Sequence, residues 1–455
     1  MATDLLAMPT RLALFRIAWP VIALGLVRSG YFLADAFWAG RMGDESGAAL
    51  SAMGGAAFAT WILSSVADLS ATGTHALVAR AAGAGDRDAV RDAGTQGTWL
   101  AALLGVVVAL AAGPLTDGYF ALVGFRGDDF AAPLAMGRSL LRVLCWGFVT
   151  MSVTSSLSAV FRGLGDTRTP MIVSATTLLV NAALAPLLMF GLGPVPRLGL
   201  AGAAWATVIA SGFGAAMLGW ALAKKDAGLV RAGPSAATIR RIAAIGLPQM
   251  VSSVGFSFVY VLLGEVLASF GPAAIAGLGI GHRVESASYQ VCLGFGTAAA
   301  TLVGQNLGAG DPRRAWAAAH RAARLSAAAM VPFMLVFVLA PRAVVSIWAH
   351  DPATLANGAT YLLAAGAVLI GMSLEVVYES AFAGAGDTMP AMVVVLPLTV
   401  LRIPVAAWLA ANTTLGISAI WWAIAATTAA KGLLLWALFA ARARHAREGA
   451  RAAKA

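Results

Sequence analysis

Apolar residues run along this chain in stretches of about 20, the length an α-helix needs to cross the hydrocarbon core of a bilayer. Transmembrane barrel strands would instead alternate polar and apolar positions over about 10 residues. The pattern therefore predicts twelve helical spans, at 12–40, 48–79, 94–115, 131–161, 171–192, 199–223, 239–270, 273–307, 315–340, 354–382, 389–411 and 415–439. Short polar segments containing Gly, Pro and charged residues separate them.

Composition supports the same solvent. Of 455 residues 60% are hydrophobic and only 11% charged, against about 25% charged in a soluble domain. The net charge of +10 would suggest nucleic acid in a soluble protein. Here it reads as topology, and no nucleic-acid partner is expected. With both termini in the cytoplasm, 21 of the 31 basic residues fall on inside segments and 4 on outside loops, namely Arg41, Arg126, Arg197 and Arg342. This is the positive-inside bias, and it predicts a multi-pass protein of the cell (inner) membrane. The basic tail from Arg442 suits anionic lipid. Cys145 and Cys292 both lie in apolar runs, so neither a disulfide framework nor a metal cluster is expected. No small-residue cleavage site follows the first apolar run, so that span is expected to be retained as an anchor.

The chain repeats itself. Gly83-Ala84-Gly85-Asp86 recurs as Gly308-Ala309-Gly310-Asp311, and Phe161-Arg162-Gly163-Leu164-Gly165-Asp166-Thr167 as Phe382-Ala383-Gly384-Ala385-Gly386-Asp387-Thr388. Pro20 recurs as Pro248, and Leu198-Gly199 with Trp205 as Leu415-Gly416 with Trp422. The separations are 225, 221, 228 and 217 residues, in one order. Six spans per half return the chain to its starting face, so the repeats are parallel. The expected fold class is an all-α membrane protein, with twelve transmembrane helices in two parallel-repeat six-helix lobes. The layout is an N-terminal lobe at 1–223, a basic linker at 224–238, a C-terminal lobe at 239–440 and a basic cytoplasmic tail at 441–455. The Gly-x-Gly-Asp turns read as helix stops, since glycine tolerates the left-handed conformation there. A phosphate loop would need Lys-Ser or Lys-Thr after the glycines.

Several segments carry a resemblance to a known family. Leu33-Ala34-Asp35-Ala36-Phe37-Trp38-Ala39-Gly40-Arg41-Met42-Gly43 resembles the first-span signature of the multidrug and toxic-compound extrusion (MATE) family. Leu302-Val303-Gly304-Gln305-Asn306-Leu307-Gly308-Ala309-Gly310-Asp311, the two Gly-x-Gly-Asp-Thr turns and Leu401-Arg402-Ile403-Pro404 are similar to its later motifs. The likeness covers about residues 10–440. It implies secondary active export of amphipathic, often cationic compounds by alternating access. Export in that family runs against an inward flow of protons or sodium. No cofactor is implied beyond that ion, and the working unit is expected to be a monomer.

An ionisable group in a span costs about 2.5–3.5 kcal/mol or more and is a functional candidate by default. Asp35 leads, because its place in the signature resembles that of the carboxylate that takes up the coupling ion. Arg28 lies two turns earlier on the same face, near enough to favour release of a proton or to bond helix carbonyls instead. Asn181 and Thr207 match positions that resemble hydrogen-bond partners of that aspartate. Ala185 stands where many relatives carry a second aspartate. A single carboxylate suits a proton better than sodium, which wants several oxygens. Asp68 is a weaker substitute.

In the second half Glu265, Glu375 and Glu379 are candidates for binding substrate or a cation, with Arg283 and Arg402 as partners. Glu375 and Glu379 share one helical face at a spacing of four. The arginines equally suit a locking role, Arg283 with Glu285. The sodium-linked branch has an acidic residue about where Phe256 stands, which points to a DinF-like rather than a NorM-like branch and to protons. Lys431 has no evident role, and His282 could titrate. Other functions fit less well, a channel among them, since the repeat predicts rocking lobes and not a pore. A lipid-linked precursor flippase would call for a strongly cationic cavity, whereas the charges here are mixed in sign. An enzyme would need a nucleophile with its base or a metal cluster, and the sequence offers neither.

Overall fold

The computed structural model describes residues 5–123, 130–191, 193, 196–225, 229, 230 and 232–452; the side chains of 27–36, 123, 265, 268 and 444–452 lie outside the description. Sixteen α-helices follow one another: α1 (Thr10–Ala39), α2 (Ser46–Gly83), α3 (Arg87–Leu110), α4 (Ala112–Val123), α5 (Ala131–Trp146), α6 (Phe148–Gly163), α7 (Arg168–Phe190), α8 (Leu200–Lys224), α9 (Ala236–Ala268), α10 (Pro272–Gly308), α11 (Pro312–Leu339), α12 (Pro341–Val345), α13 (Pro352–Gly384), α14 (Met389–Val400), α15 (Arg402–Asn412) and α16 (Ser418–Ala452). Among the described residues there is no strand. Nine helical stretches within that description are long and apolar enough to span a bilayer, and α5 with α6 makes a tenth. With α1 and α10, at 30 and 37 residues, the predicted twelve spans are present. Leu110 and Leu339 are 82% and 77% exposed, which suits side chains facing lipid.

The spans differ from expectation at three places. The third, expected at 94–115, begins at Arg87 and ends at Leu110. The stretch beyond it is a separate helix, α4. The fourth, expected as one helix over 131–161, bends by 51° between α5 and α6. A Cβ at Gly147 would lie 2.0 Å from Val208 Cγ2, so a side chain of α8 fills the break that glycine leaves open. The eleventh is interrupted at Leu401, between α14 and α15. Pro397 lies inside α14, and Pro404 has no N–H to return to the carbonyl of Val400.

The repeated turns are helix stops. Gly85, Gly165, Gly310 and Gly386 take φ of +73°, +82°, +76° and +76°. The following aspartate amides bond back to Ala81, Phe161, Asn306 and Phe382 at 2.9–3.0 Å, which satisfies carbonyls the helix end leaves bare. Asp86 and Asp311 then cap the next helices, accepting from the Ala89 and Arg314 amides at 2.9 Å. Asp351 caps α13 in the same way, and bonds from Thr354 hold its carboxyl below the ordinary range.

Contacts divide the chain into two compact units. One is Leu26–Met250; the other joins Asp4–Gly25 to Val251–Ala455. The boundary therefore falls inside α9, not in the basic segment at 224–238, and α1 changes unit at Gly25. In the first unit the opening of α9 packs on α2: a Cβ at Gly246 would lie 1.8 Å from the Leu69 carbonyl oxygen, and one at Gly73 would lie 2.1 Å from that of Ile242. In the second unit the opening of α1 packs on α10, where a Cβ at Gly294 would lie 2.4 Å from Ile22 and 3.0 Å from the Ala18 oxygen. Gly246 is the repeat counterpart of Ala18, and Gly294 that of Leu69. Each unit thus takes in the start of the other repeat's first helix.

The segments before those helices follow them. In the first unit Trp99 Nε1 and Gln96 Nε2 of α3 each donate at 3.1 Å to the carbonyls of Ala232 and Gly233, and the Ser235 amide donates to Gln96 Oε1 at 2.7 Å. In the second unit Arg314 of α11 donates to the carbonyls of Leu5, Leu6 and Met8.

Candidate functional site

In the first unit, α7 and α8 pack through small residues, and Asn181, Ala185 and Met189 form one buried stripe of α7. Asn181 is 3% exposed. Its Nδ2 donates to Thr207 Oγ1 of α8 at 2.9 Å, and Thr207 passes its own proton to the Ala203 carbonyl at 3.1 Å. The Asn181 Oδ1 atom is buried with no hydrogen-bond partner. A bare buried acceptor is costly, and it suits a group that brings a proton. One turn on, where a second carboxylate would stand, the methyl of Ala185 is fully buried. Pro186 lies inside α7 and withdraws the N–H that would bond the Ala182 carbonyl. Asp35 and Arg28, expected to complete this site, lie on α1 with side chains outside the described residues.

The second unit holds a buried polar cluster that the sequence shows only in part. Arg402, at the start of α15, is 2% exposed. It donates to Thr427 and Thr428 of α16 at 2.8 Å each and to the Tyr260 hydroxyl at 3.4 Å. Among the described residues its hydrogen bonds go to hydroxyls; the Glu265 side chain lies outside them. Its guanidinium lies 5.8 Å from the Phe256 ring and 5.9 Å from that of Tyr260. Five rings form a row: Phe256 to Tyr260 at 4.5 Å, Tyr260 to His282 at 4.8 Å, His282 to Tyr361 at 5.6 Å and Tyr361 to Trp421 at 5.3 Å. The Tyr361 hydroxyl donates to Glu285 of α10, while the neighbouring Arg283 is exposed.

Lys431 of α16 is the residue the sequence reading left without a role. It is 1% exposed and donates to Glu375 of α13. Its charge also reaches Glu379, which is half-buried one turn further on. Charge interactions link Arg402, Glu285 and Glu375 through the same cluster. The structure thus brings Glu375, Glu379 and Arg402 together and leaves Arg283 outside. The Glu265 side chain is not among the described residues. The signal for Lys431 was present in the sequence: a lysine in an apolar span needs a carboxylate.

A family model for MatE matches residues 20–187 and 248–408. The two stretches begin at Pro20 and Pro248, the prolines that mark the internal repeat. A probable multidrug resistance protein NorM of Thermotoga maritima is 28% identical, over 90% of this chain and 87% of its own length. One of Deinococcus radiodurans is 30% identical over 89% of each. In fold, the chain resembles the crystal structure of MATE in the bent conformation, with a TM-score of 0.88 at 20% identity over 98% of both chains. The family model covers both halves and the fold is shared throughout, so the chain belongs to the multidrug and toxic-compound extrusion family of membrane transporters, not to any class of enzyme.

Proposed function

We propose that this transporter exports amphipathic cationic compounds across the cell (inner) membrane in exchange for protons, with Asp35 as the proton-carrying group. The observation that carries the reading is the Asn181–Thr207 pair: its bare carbonyl oxygen can accept from a protonated carboxyl and offers an ionised one nothing. The buried methyl of Ala185 supplies no further oxygen for sodium. Protonated Asp35 would donate to Asn181, and the ionised form would leave it, with Arg28 favouring release. Multidrug export is supported by the names of the Thermotoga and Deinococcus relatives. The positive-inside bias supports a cytoplasmic side for both termini. The DinF-like branch rests on Phe256 and Ala185. In the second unit, Glu265, Glu375 and Glu379 with Arg283 and Arg402 set the charge met by substrate or by a competing cation; for Glu375 that cation is the chain's own lysine.

Everted membrane vesicles test this with ethidium as the organic cation. Uptake is expected with a proton gradient and not with a sodium gradient alone, and Asp35→Asn is expected to abolish it. Proton-driven uptake unchanged in Asp35→Asn removes Asp35 as the coupling group, and uptake driven only by sodium replaces the ion.

A further inference from the structure

We propose that Lys431 is a tethered counter-cation that occupies Glu375 and closes it to transported ions, so that ion coupling is confined to the first unit. The proposal rests on the reading of Asp35 above and adds a residue that decides which carboxylates take part. Its basis is the crossing of α13 and α16. A Cβ at Gly432 would lie 2.2 Å from the Gly371 carbonyl oxygen and 3.3 Å from the Glu375 amide nitrogen, and one at Gly371 would lie 2.9 Å from the Ala429 Cα. The two backbones therefore touch at the crossing. Lys431 directly precedes Gly432, and Glu375 lies one turn beyond Gly371, so the two side chains meet beside the contact. With side chains 2% and 12% exposed, the pair is largely shut off from solvent.

The surroundings are charged as well. Facing this pair are Glu379 on α13, Arg402 on α15, Glu285 on α10, Tyr260 on α9, and Tyr361 and His282 at the cluster's edge. Arg402 and Lys431 are the two cations among three carboxylates, Glu285, Glu375 and Glu379. A sodium ion arriving at Glu375 would have to displace an ammonium that the fold already holds beside the carboxylate. It would also leave the lysine charge unpaired in a sealed site. The lysine thus occupies the place a coupling ion would take.

The test uses the purified full-length chain carrying Asp35→Asn, which removes the first-unit carboxylate, and reads unfolding temperature in detergent as sodium chloride replaces choline chloride at constant ionic strength. No Glu375-dependent shift is expected while Lys431 is present. Adding Lys431→Gln is expected to make the protein sodium-sensitive, with a rise of several degrees that Glu375→Gln then removes. Two results overturn the proposal: a sodium shift in the Asp35→Asn protein that Glu375→Gln abolishes, or no shift in folded Lys431→Gln. Should Lys431→Gln not fold, the first of these still decides on folded protein, and absence of that shift supports the tether. Failure of the Asp35 reading shows separately, as proton-driven ethidium uptake by Asp35→Asn vesicles.

Discussion

Lys225, at the end of α8, donates to the carboxylate of Asp166 in the turn after α6, and its ammonium lies 5.3 Å from the Phe161 ring. In the second unit Arg442 of α16 donates to Asp387, with its guanidinium 5.7 Å from the Phe382 ring. The residues correspond by the repeat: Phe161 and Asp166 to Phe382 and Asp387, Lys225 to Arg442. Each half thus ties its last helix to its fourth-span turn with one cation that serves an aspartate and an aromatic face. Each tie lies within one unit and links helices of that unit.

Acid should release the first of these ties. Burial alone would push the Asp166 carboxyl up, but bonds from Lys225 and from the Thr169 hydroxyl and amide outweigh this and hold it below 3.8. A carboxyl depressed in the folded state adds stability above its unfolded value, and the gain is lost as pH falls through the folded one. Asp166→Asn keeps an acceptor for the Thr169 amide and removes only the charge facing Lys225, so it should cost up to about 1 kcal/mol near neutrality. Its unfolding temperature should fall by a few degrees there, and the gap from wild type should close as pH drops below 3.8. An equal gap at every pH would show that the charge on Asp166 contributes nothing.

The Asn181–Thr207 pair separates proton acceptance from packing. Thr207→Val keeps the shape but leaves the Asn181 amide without its acceptor, a loss of about 1 kcal/mol or fivefold. Asn181→Ala removes the carbonyl oxygen as well, so proton-driven ethidium uptake should fall about tenfold or more. The order matters more than the sizes. If Thr207→Val is the worse of the two, the carbonyl of Asn181 is not the receiving group.

Arg402 is held by two threonines and a tyrosine, so its replacements should rank by geometry. Arg402→Ala leaves three hydroxyl partners and a cavity, and should cost about 3–5 kcal/mol. Arg402→Lys keeps the charge but cannot reach Thr427, Thr428 and Tyr260 from one planar head, and should recover only part of that loss. Thermal unfolding of the detergent-solubilised protein measures both. A fully stable Arg402→Lys would mean that charge alone matters at this site.

Much of this was legible in the sequence because bilayer physics leaves few choices. In a bilayer a 20-residue apolar run reads as a helix, and Gly-Ala-Gly-Asp ends one with a left-handed glycine, so the existence of the spans and their stops was readable, though the bend at Gly147 and the break at Leu401 were not. Family resemblance offers Asn181 and Thr207 as partners of Asp35; the structure shows them bonded to each other. The second-unit cluster was less readable. Glu375 and Lys431 are 56 residues apart, and no local periodicity links α13 to α16; only the unpaid charge of an intramembrane lysine pointed to a partner. The direct partners of Arg402 were hidden for a related reason. A buried arginine suggests a carboxylate, yet three hydroxyls satisfy its fork equally well. The exchange of helix openings between units had no sequence signal, since α1 and α9 look alike whichever unit receives them.

Close backbone approaches give the last prediction, because what a new methyl meets decides whether it can be rescued. At Gly147 the neighbour is the Val208 side chain. Gly147→Ala should cost about 1–3 kcal/mol by overpacking, and Val208→Ala in the same chain should restore most of it. At Gly246 the neighbour is the Leu69 carbonyl oxygen at 1.8 Å, followed by backbone carbons of the same residue at 2.6 and 2.9 Å. No side-chain substitution can clear that path, so α2 and the opening of α9 must separate. Gly246→Ala should therefore destabilise more than Gly147→Ala, and Leu69→Ala should not rescue it. Thermal unfolding of the four variants settles the contrast. Rescue of Gly246→Ala by Leu69→Ala would mean that α9 seats on side chains and not on the backbone of α2, and the account of how the first unit holds that helix would fail.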